Sequence, residues 1–427
     1  MSIDSKAAKL LVALPLAATA LGSAPQPGVA QERGGLANLV SDLYGGDGIT
    51  LVNPDHEAHF EAQGQQELLQ LSDDISRNIA FAPFNSSASS IVFDFEQGVP
   101  VRTLDSLGPV LLQRAKTIGA GRANFGVSYT RVDYQQFEGD DLKDLELELE
   151  HIDCCSANPT PPPPFDFDTP DGVIGPPGPT FELDTIVLDL DLELEQDIFA
   201  FFGTYGITDN WDVGAVVPVV HVEGSVRSRG RIRNFTEDDD MGPFGPNHEF
   251  TDDPTAEDFP IDSNEDDATG IGDILLRTKY NFLEDQGDIP DMSVLGQLTL
   301  PTGDEDDLLG TGELGTLGLF ILSQDFGRFT PHLNIGYEVF TGDVEDNLRY
   351  GVGTEVMVTD QITGIAEIFG RYEPGGDGTG DLVDAVLGAK WNPFGDAVAS
   401  ANFIIPINKD TGLRADFIWG VGVEISF

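Results

Sequence analysis

The chain closes on Leu413-Arg414-Ala415-Asp416-Phe417-Ile418-Trp419-Gly420-Val421-Gly422-Val423-Glu424-Ile425-Ser426-Phe427. Every odd position is apolar or aromatic. The even positions carry Arg414, Asp416, Glu424 and Ser426 with glycines between them, and Ile418 is the apolar exception. Side chains alternate faces along a strand, so this spacing predicts one β-strand over the whole stretch, apolar on one side and polar or small on the other. Soluble strands are typically about five or six residues long, whereas strands that cross a membrane at a tilt need about nine to eleven. The length favours a membrane strand over the edge of a soluble sandwich.

The same alternation recurs upstream. It predicts strands over Ala397–Ile407, Leu382–Trp391, Ile362–Tyr372, Leu348–Val358, Phe329–Phe340, Leu314–Ser323, Met292–Leu300, Ile274–Phe282, Trp211–Val222 and about Leu183–Ile207, with the earliest beginning near Arg122. The connections alternate in character. Residues 208–210, 285–290, 325–328, 359–361 and 392–396 are tight, while 153–182, 236–268, 302–312, 341–347, 373–381 and 408–412 are longer and more polar. Bacterial barrels have short periplasmic turns and longer outer loops, with an even strand number. The expected fold is therefore all-β: a transmembrane antiparallel β-barrel of about twelve strands, within a range of ten to fourteen, closed by a C-terminal strand ending in Phe427. A terminal Phe behind alternating apolar residues resembles the insertion signal of outer-membrane barrels. That likeness implies the barrel-assembly machinery as a partner, alongside outer-membrane lipid.

At the other end, Lys6 and Lys9 precede an apolar run from Leu10 to Leu21, and small residues lead to Ala30. This is the order of a secretory signal peptide, with about 12 apolar residues, too few to span a bilayer as a helix. The expected organisation is a signal peptide over 1–30, an N-terminal segment over 31–117, and the barrel over 118–427. Within 31–117, Glu67–Ile75 reads as helix and Ser86–Ser90 as loop; the segment fits a periplasmic extension, a lumen plug or a leader.

Asp and Glu number 74 against 22 Lys and Arg, giving a formal net charge of -52. Nucleic acid is excluded as a partner, because phosphate binding needs clustered cations. Surface solvation in salt is a second source for such an acid excess. Cys154 and Cys155 are adjacent, so no disulfide framework exists, and they carry no assigned role. The 236–268 stretch holds acids at Glu237, Asp238, Asp239, Asp240, Asp262, Glu265, Asp266 and Asp267 among others, and reads as a solvated loop. Carboxylates suit Ca²⁺, but the spacing of a calcium loop is missing; no metal or other cofactor is expected.

Two acid rows are the candidate functional residues. Glu146, Glu148 and Glu150 alternate with leucines, as do Asp189, Asp191, Glu193 and Glu195. Facing a lumen, they would select cations. The second row, however, lies thirteen or more residues from the turn at Thr208. At roughly 2.5 Å of height per tilted residue that passes the apolar band of about 25 Å. The favoured reading is a solvated wall above the bilayer that makes the mouth electronegative.

Catalysis is not expected. None of the six histidines stands in a His-x-Ser arrangement, His56 and His59 do not form the His-Glu-x-x-His zinc pattern, and no phosphate loop follows a strand. A barrel enzyme would need one histidine beside a Ser and an acid at the outer rim.

Gly270-Ile271-Gly272-Asp273, Leu298-Thr299-Leu300-Pro301-Thr302-Gly303-Asp304 with Leu309-Gly310-Thr311-Gly312, and Pro331-His332-Leu333-Asn334-Ile335-Gly336-Tyr337 carry a likeness. Together with Tyr205-Gly206-Ile207-Thr208 and Trp211-Asp212-Val213-Gly214 they resemble the outer-membrane β-barrel family named for the meta pathway of phenol degradation, over about Leu183 to Phe427. The resemblance implies a barrel that moves aromatic or other hydrophobic compounds, and no catalytic residues. The expected function is passive passage of small-molecule solutes, hydrophobic or aromatic ones included, across the outer membrane. The alternative is a non-transporting surface barrel whose acidic loops bind ions or partners.

Overall fold

The structure, a computed structural model, describes residues 35–44, 49, 61–85, 91–102, 106–149, 185–233, 250, 261–284, 286–342, 344–374 and 381–425. A hairpin of β1 (Ile91–Asp94) and β2 (Val99–Arg102) precedes β3 (Arg122–Phe137). The short β4 (Asp140–Asp141) and β5 (Leu145–Leu149) lead to two long strands, β6 (Thr185–Thr208) and β7 (Trp211–Arg233). Then follow β8 (Ile261–Ile271), β9 (Ile274–Leu283), β10 (Asp291–Leu300), β11 (Gly315–Ser323), β12 (Phe329–Phe340), β13 (Asn347–Thr359) and β14 (Ile362–Tyr372). The chain continues through β15 (Leu382–Trp391), β16 (Ala397–Pro406), β17 (Leu413–Ala415) and β18 (Ile418–Ile425).

Antiparallel pairing runs from β3 through β6 and β7 to β16, and β17 and β18 pair back onto β3. β8 and β9 share one stave and β17 and β18 another, so the wall is a closed barrel of twelve staves. Closure removes the free edges of the wall, which a bilayer demands because it offers no partner for a bare N–H or C=O.

The wall is inside out relative to a soluble sheet. On β12, Leu333, Ile335, Tyr337 and Val339 are exposed, whereas His332, Asn334 and Glu338 are buried at 3%, 4% and 1%. Apolar side chains face outward and polar ones line the interior, as in a membrane barrel. The chain holds no helix long and apolar enough to cross a membrane among its described residues; it crosses with strands.

One strand records where the bilayer stops. Along the outer face of β6 the odd positions read Asp189, Asp191, Glu193, Glu195 and Asp197, then Phe199, Phe201, Gly203, Tyr205 and Ile207. The change from acid to aromatic falls between Asp197 and Phe199. In register, β3 changes from Arg131 to Tyr129 and β7 from His221 to Val219. From Phe199 to Ile207 the rise is roughly 20 Å at 2.5 Å per residue, near the apolar band of about 25 Å. The Tyr129 ring lies 4.8 Å from Phe199 and 5.3 Å from Trp419, and its hydroxyl donates to Asp197 at 2.6 Å. Such amphipathic rings form the interfacial girdle. Phe201→Arg, a short way inside this band, should destabilise the barrel by about 1–2 kcal/mol, between the interfacial and midplane costs of a charge, while Asp191→Arg above it should leave stability within about 0.5 kcal/mol. Urea unfolding in lipid vesicles checks both.

Several expectations need correcting. The C-terminal stretch is not one strand: it breaks at Asp416–Phe417 into β17 and β18, with a register shift against β3 between Arg414 and Ala415. The break turns Leu413 and Ala415 inward, where both are 3% exposed in the interior cluster, while Val421, Val423 and Ile425 face out. Phe427, Glu150, Cys154, Cys155, Ser86–Ser90, the 153–182 loop and the leader over 1–30 lie outside the described residues. β7 runs eleven residues beyond the expected end at Val222, to Arg233. Residues Asp262, Glu265, Asp266 and Asp267 are on β8, not in a loop, because β7 supplies them a ladder that carries Arg227 and Arg229. The expected helix over Glu67–Ile75 is longer, Glu61–Ile79, and is called α1 here.

Candidate functional site

The interior is where polar groups concentrate, and a segment of the chain itself lies against them. Residues 106–118 have no ladder partner, so their N–H groups need acceptors. Inward side chains of the wall supply them. Leu107 donates to Thr363 Oγ1 at 3.0 Å, Gly108 to Glu355 at 2.8 Å, Gln113 to Asn334 Oδ1 at 2.7 Å, and Ala115 to Ser323 Oγ at 2.9 Å. Glu367 accepts from three successive donors, Val110, Leu111 and Leu112, at 2.8, 3.0 and 3.4 Å. Asp212 accepts from Ile118 at 3.0 Å. The carbonyls are met too: Lys279 Nζ reaches Lys116 O at 2.9 Å, and Asn281 Nδ2 reaches Ala115 O at 3.0 Å. The strap leaves the wall where Gly206 has no room for a Cβ, which would lie 1.9 Å from Gly119 O.

Sequence reasoning did not bring His332 to a Ser and an acid, yet the fold does. Ser323 Oγ lies 2.8 Å from His332 Nδ1, and His332 Nε2 lies 2.7 Å from Glu355 Oε1, on three neighbouring strands. The signal was the even-position row of β12 read against its neighbours' registers. The arrangement lies near the tight-turn end rather than the loop rim. It is covered: Ser323 Oγ receives the Ala115 N–H, and Glu355 receives the Gly108 N–H. The adjoining cavity is about 20 Å³, room for about one water molecule. No acyl group fits there, and the three residues act as strap acceptors.

A larger cavity of about 290 Å³ lies between the strap, the turn after α1 and the wall. Ile198, Val220, Leu295, Leu317 and Leu319 give it apolar lining. Arg277, Arg349, Arg371 and Arg414, together with Glu338 and Asp384, give it charged lining. Arg414 pairs with Asp384 at 2.7 Å, Arg349 with Glu338, and Arg371 with Glu373 at 3.4 Å. Arg277 donates to the neutral Gln297 at 2.8 Å. Phe81, from the turn after α1, lies with its ring centroid 4.1 Å from the Arg371 guanidinium carbon and packs edge-on to Phe340 at 5.6 Å.

The acid rows stand elsewhere. On β6, Leu188, Leu190, Leu192 and Leu194 point inward and are buried, packed with Leu36, Leu39 and Leu71 of the N-terminal segment. Asp189, Asp191, Glu193 and Glu195 therefore face outward, above the aromatic boundary. Glu146 and Glu148, on β5, stand beside them. Most are paired: Arg231 bridges Glu146 at 2.6 Å and Asp189 at 3.2 Å, Arg233 meets Glu148 at 2.7 Å, and Lys143 meets Glu193 at 2.7 Å. Glu195 pairs with Arg131. The Thr185 hydroxyl, donating at 2.6 Å, and then Arg233 hold the Glu148 carboxyl below the usual carboxylate range. Among the described residues no group of three or more His, Cys, Asp or Glu could hold a metal ion.

The glycine- and threonine-rich motifs form a latch. The wall stave breaks at Gly272–Asp273, and the Asp273 carboxylate accepts from the Thr302 and Gly303 N–H groups at 3.1 and 3.0 Å, and from the Thr311 N–H and hydroxyl at 2.8 Å each. Gly310 is required by closeness, since a Cβ there would lie 2.4 Å from Asp273 Oδ1. One carboxylate thus folds the 302–312 loop onto the break. Compared with known families, the stretch from residue 178 to 366 contains all of these motif residues. It matches the family of the MetA pathway of phenol degradation. The match begins close to the Leu183 start of the resemblance and stops at 366, before the last staves.

No curated protein was found that matches the chain in sequence. Among solved structures, an outer-membrane channel from Pseudomonas putida F1 shares 12% identity and a TM-score of 0.43, covering 73% of this chain and 98% of its own. The Ralstonia pickettii toluene transporter TbuX gives 9% and 0.35, covering 71% and 89%. A FadL homologue of Pseudomonas aeruginosa gives 13% and 0.31, covering 71% and 90%. These scores are low, and the barrel rests on its own strand pairing. The strap and the cavity's arginines come from the chain's own packing.

Proposed function

We propose that the chain is an outer-membrane conduit for small hydrophobic solutes, plugged at rest by its N-terminal segment. The observation that carries this reading is the half-apolar cavity of about 290 Å³ inside the lumen, bounded by the 106–118 strap. A water-filled pore would leave its polar interior to solvent; here the strap occupies it with its backbone bonded to the wall. Apolar lining with a few polar groups is the make-up of a small-molecule site. The tight turns face the periplasm, residues 1–30 direct export, and β18 serves the assembly machinery. The outer rim stays electronegative, because Asp191 and the acids of β8 exceed the local arginines. Solute crosses by passive diffusion, without covalent chemistry.

The test is uptake of labelled toluene by bacterial cells whose lipopolysaccharide leaflet is the barrier, with and without the full chain. Uptake several-fold faster with the chain, and almost no ion conductance in planar bilayers, is the expected pair of results. Equal uptake in the presence of folded, inserted protein would leave a non-transporting surface barrel.

A further inference from the structure

The cavity contains an arrangement that a neutral hydrocarbon does not explain. Arg349 and Arg371 are direct cross-strand partners in the β13–β14 register. Like charges opposite each other destabilise a sheet. Their acidic partners sit to the side: Glu338 on β12 for Arg349, and Glu373, just past the end of β14, for Arg371. Arg277 reaches the same place from β9, close enough to feel both Arg349 and Glu338. The Arg349 Nε is buried and has no hydrogen-bond partner. A buried donor without a partner is unfavourable, and a guanidinium offers carboxylate a two-pronged geometry. The Phe81 ring sits over both arginines, 4.1 Å from Arg371 and 5.7 Å from Arg349, with the edge-on Phe340 beside it. Leu317, the cross-strand neighbour of Glu338, and Leu319 continue the lining beside them.

We infer that this cavity binds a small aromatic monocarboxylate, its carboxylate on Arg349 and Arg371 and its ring between Phe81, Phe340 and the leucines. The inference rests on the conduit reading and names its solute class. The carboxylate lies against the two opposed guanidinium charges and offsets them, while the ring takes apolar area that water would otherwise wet. The volume, at the small end of the range of roughly 300–1,000 Å³ for ligand pockets, suits one ring and its substituent and excludes a lipid. The protein's acidic exterior opposes an anion only at a distance, since charges beyond about 10 Å are screened at 0.1 M salt.

The test is calorimetric titration of the full chain, folded in nonionic detergent, with benzoate and with benzyl alcohol as its uncharged counterpart of like shape. Benzoate should bind at least tenfold more tightly, and R349Q should abolish that preference while leaving benzyl alcohol unchanged. Should R349Q not fold, R349Q/E338Q removes both members of the ion pair and reads the same loss. Equal binding of the two probes overturns the inference, and so does a benzoate preference that survives both variants. The two readings fail separately: equal binding together with chain-dependent toluene uptake leaves the conduit standing without its acid site.

Discussion

Glu367→Leu should give the barrel discrete conductance steps that the plugged parent should lack. Glu367 is 3% exposed, and its carboxylate takes three consecutive strap donors. Leucine fills a similar volume and takes none of them. Each buried N–H left unpaired costs about 1–3 kcal/mol, so the strap loses several kcal/mol at one substitution. The wall loses nothing comparable, because the hydrogen bonds described for Glu367 go to the strap and not to neighbouring staves. The barrel should stay folded while residues 106–118 detach. Glu367→Gln keeps one carbonyl acceptor and should open only partly. Planar-bilayer recording of both variants checks this. Folded Glu367→Leu protein that stays as silent as the parent would show that the strap does not depend on this anchor.

What was legible in the sequence followed from periodicity. The staves from β9 to β16 were placed within a residue or so of their ends, because each carries apolar residues on one face and polar or small residues on the other. Periodicity fails where the chain changes partner. The break at Asp416–Phe417 keeps the alternation intact on paper, yet it rotates Leu413 and Ala415 inward. Only the register shift against β3 reveals that. The acids of β8 read as a loop because strand propensity counts against Asp and Glu; what holds them extended is a ladder to β7, a non-local fact. Counting residues from Thr208 puts the Asp189–Glu195 row beyond the apolar band, but the arginine partners come from β3 and β7 and are set by register. The cavity was least legible. Arg277, Arg349, Arg371 and Arg414 lie on four separate strands, and nothing local to any of them marks a site. The strap was not legible, since its partners Glu355, Glu367, Asn334 and Ser323 are more than two hundred residues away along the chain.

Lys390→Met should destabilise the barrel by about 3 kcal/mol or more, while Lys390→Met/Glu424→Leu should recover most of the loss. Lys390 is fully buried and donates to Glu424 Oε1 at 3.1 Å, and Glu424 is 3% exposed. Removing one partner of a buried pair leaves a charge with poor solvation, which typically costs about 3–5 kcal/mol. Arg114 of the strap is near enough to Glu424 to soften the effect, which favours the lower part of that range. Replacing both partners with apolar residues removes the uncompensated charge as well as the pair, which is often neutral. The location gives the single variant its leverage. Glu424 is on β18, which pairs with β3 to close the barrel, and Lys390 holds it from β15 across the intervening β16. Lipid surrounds the outer face, so apolar side chains there gain little by pressing staves together. Contacts that select the closing register must come from the interior, and this ion pair is one of them. Urea midpoints in lipid vesicles should therefore rank parent and double variant together, with Lys390→Met well below. A single variant as stable as the parent would assign closure of the seam to backbone pairing alone.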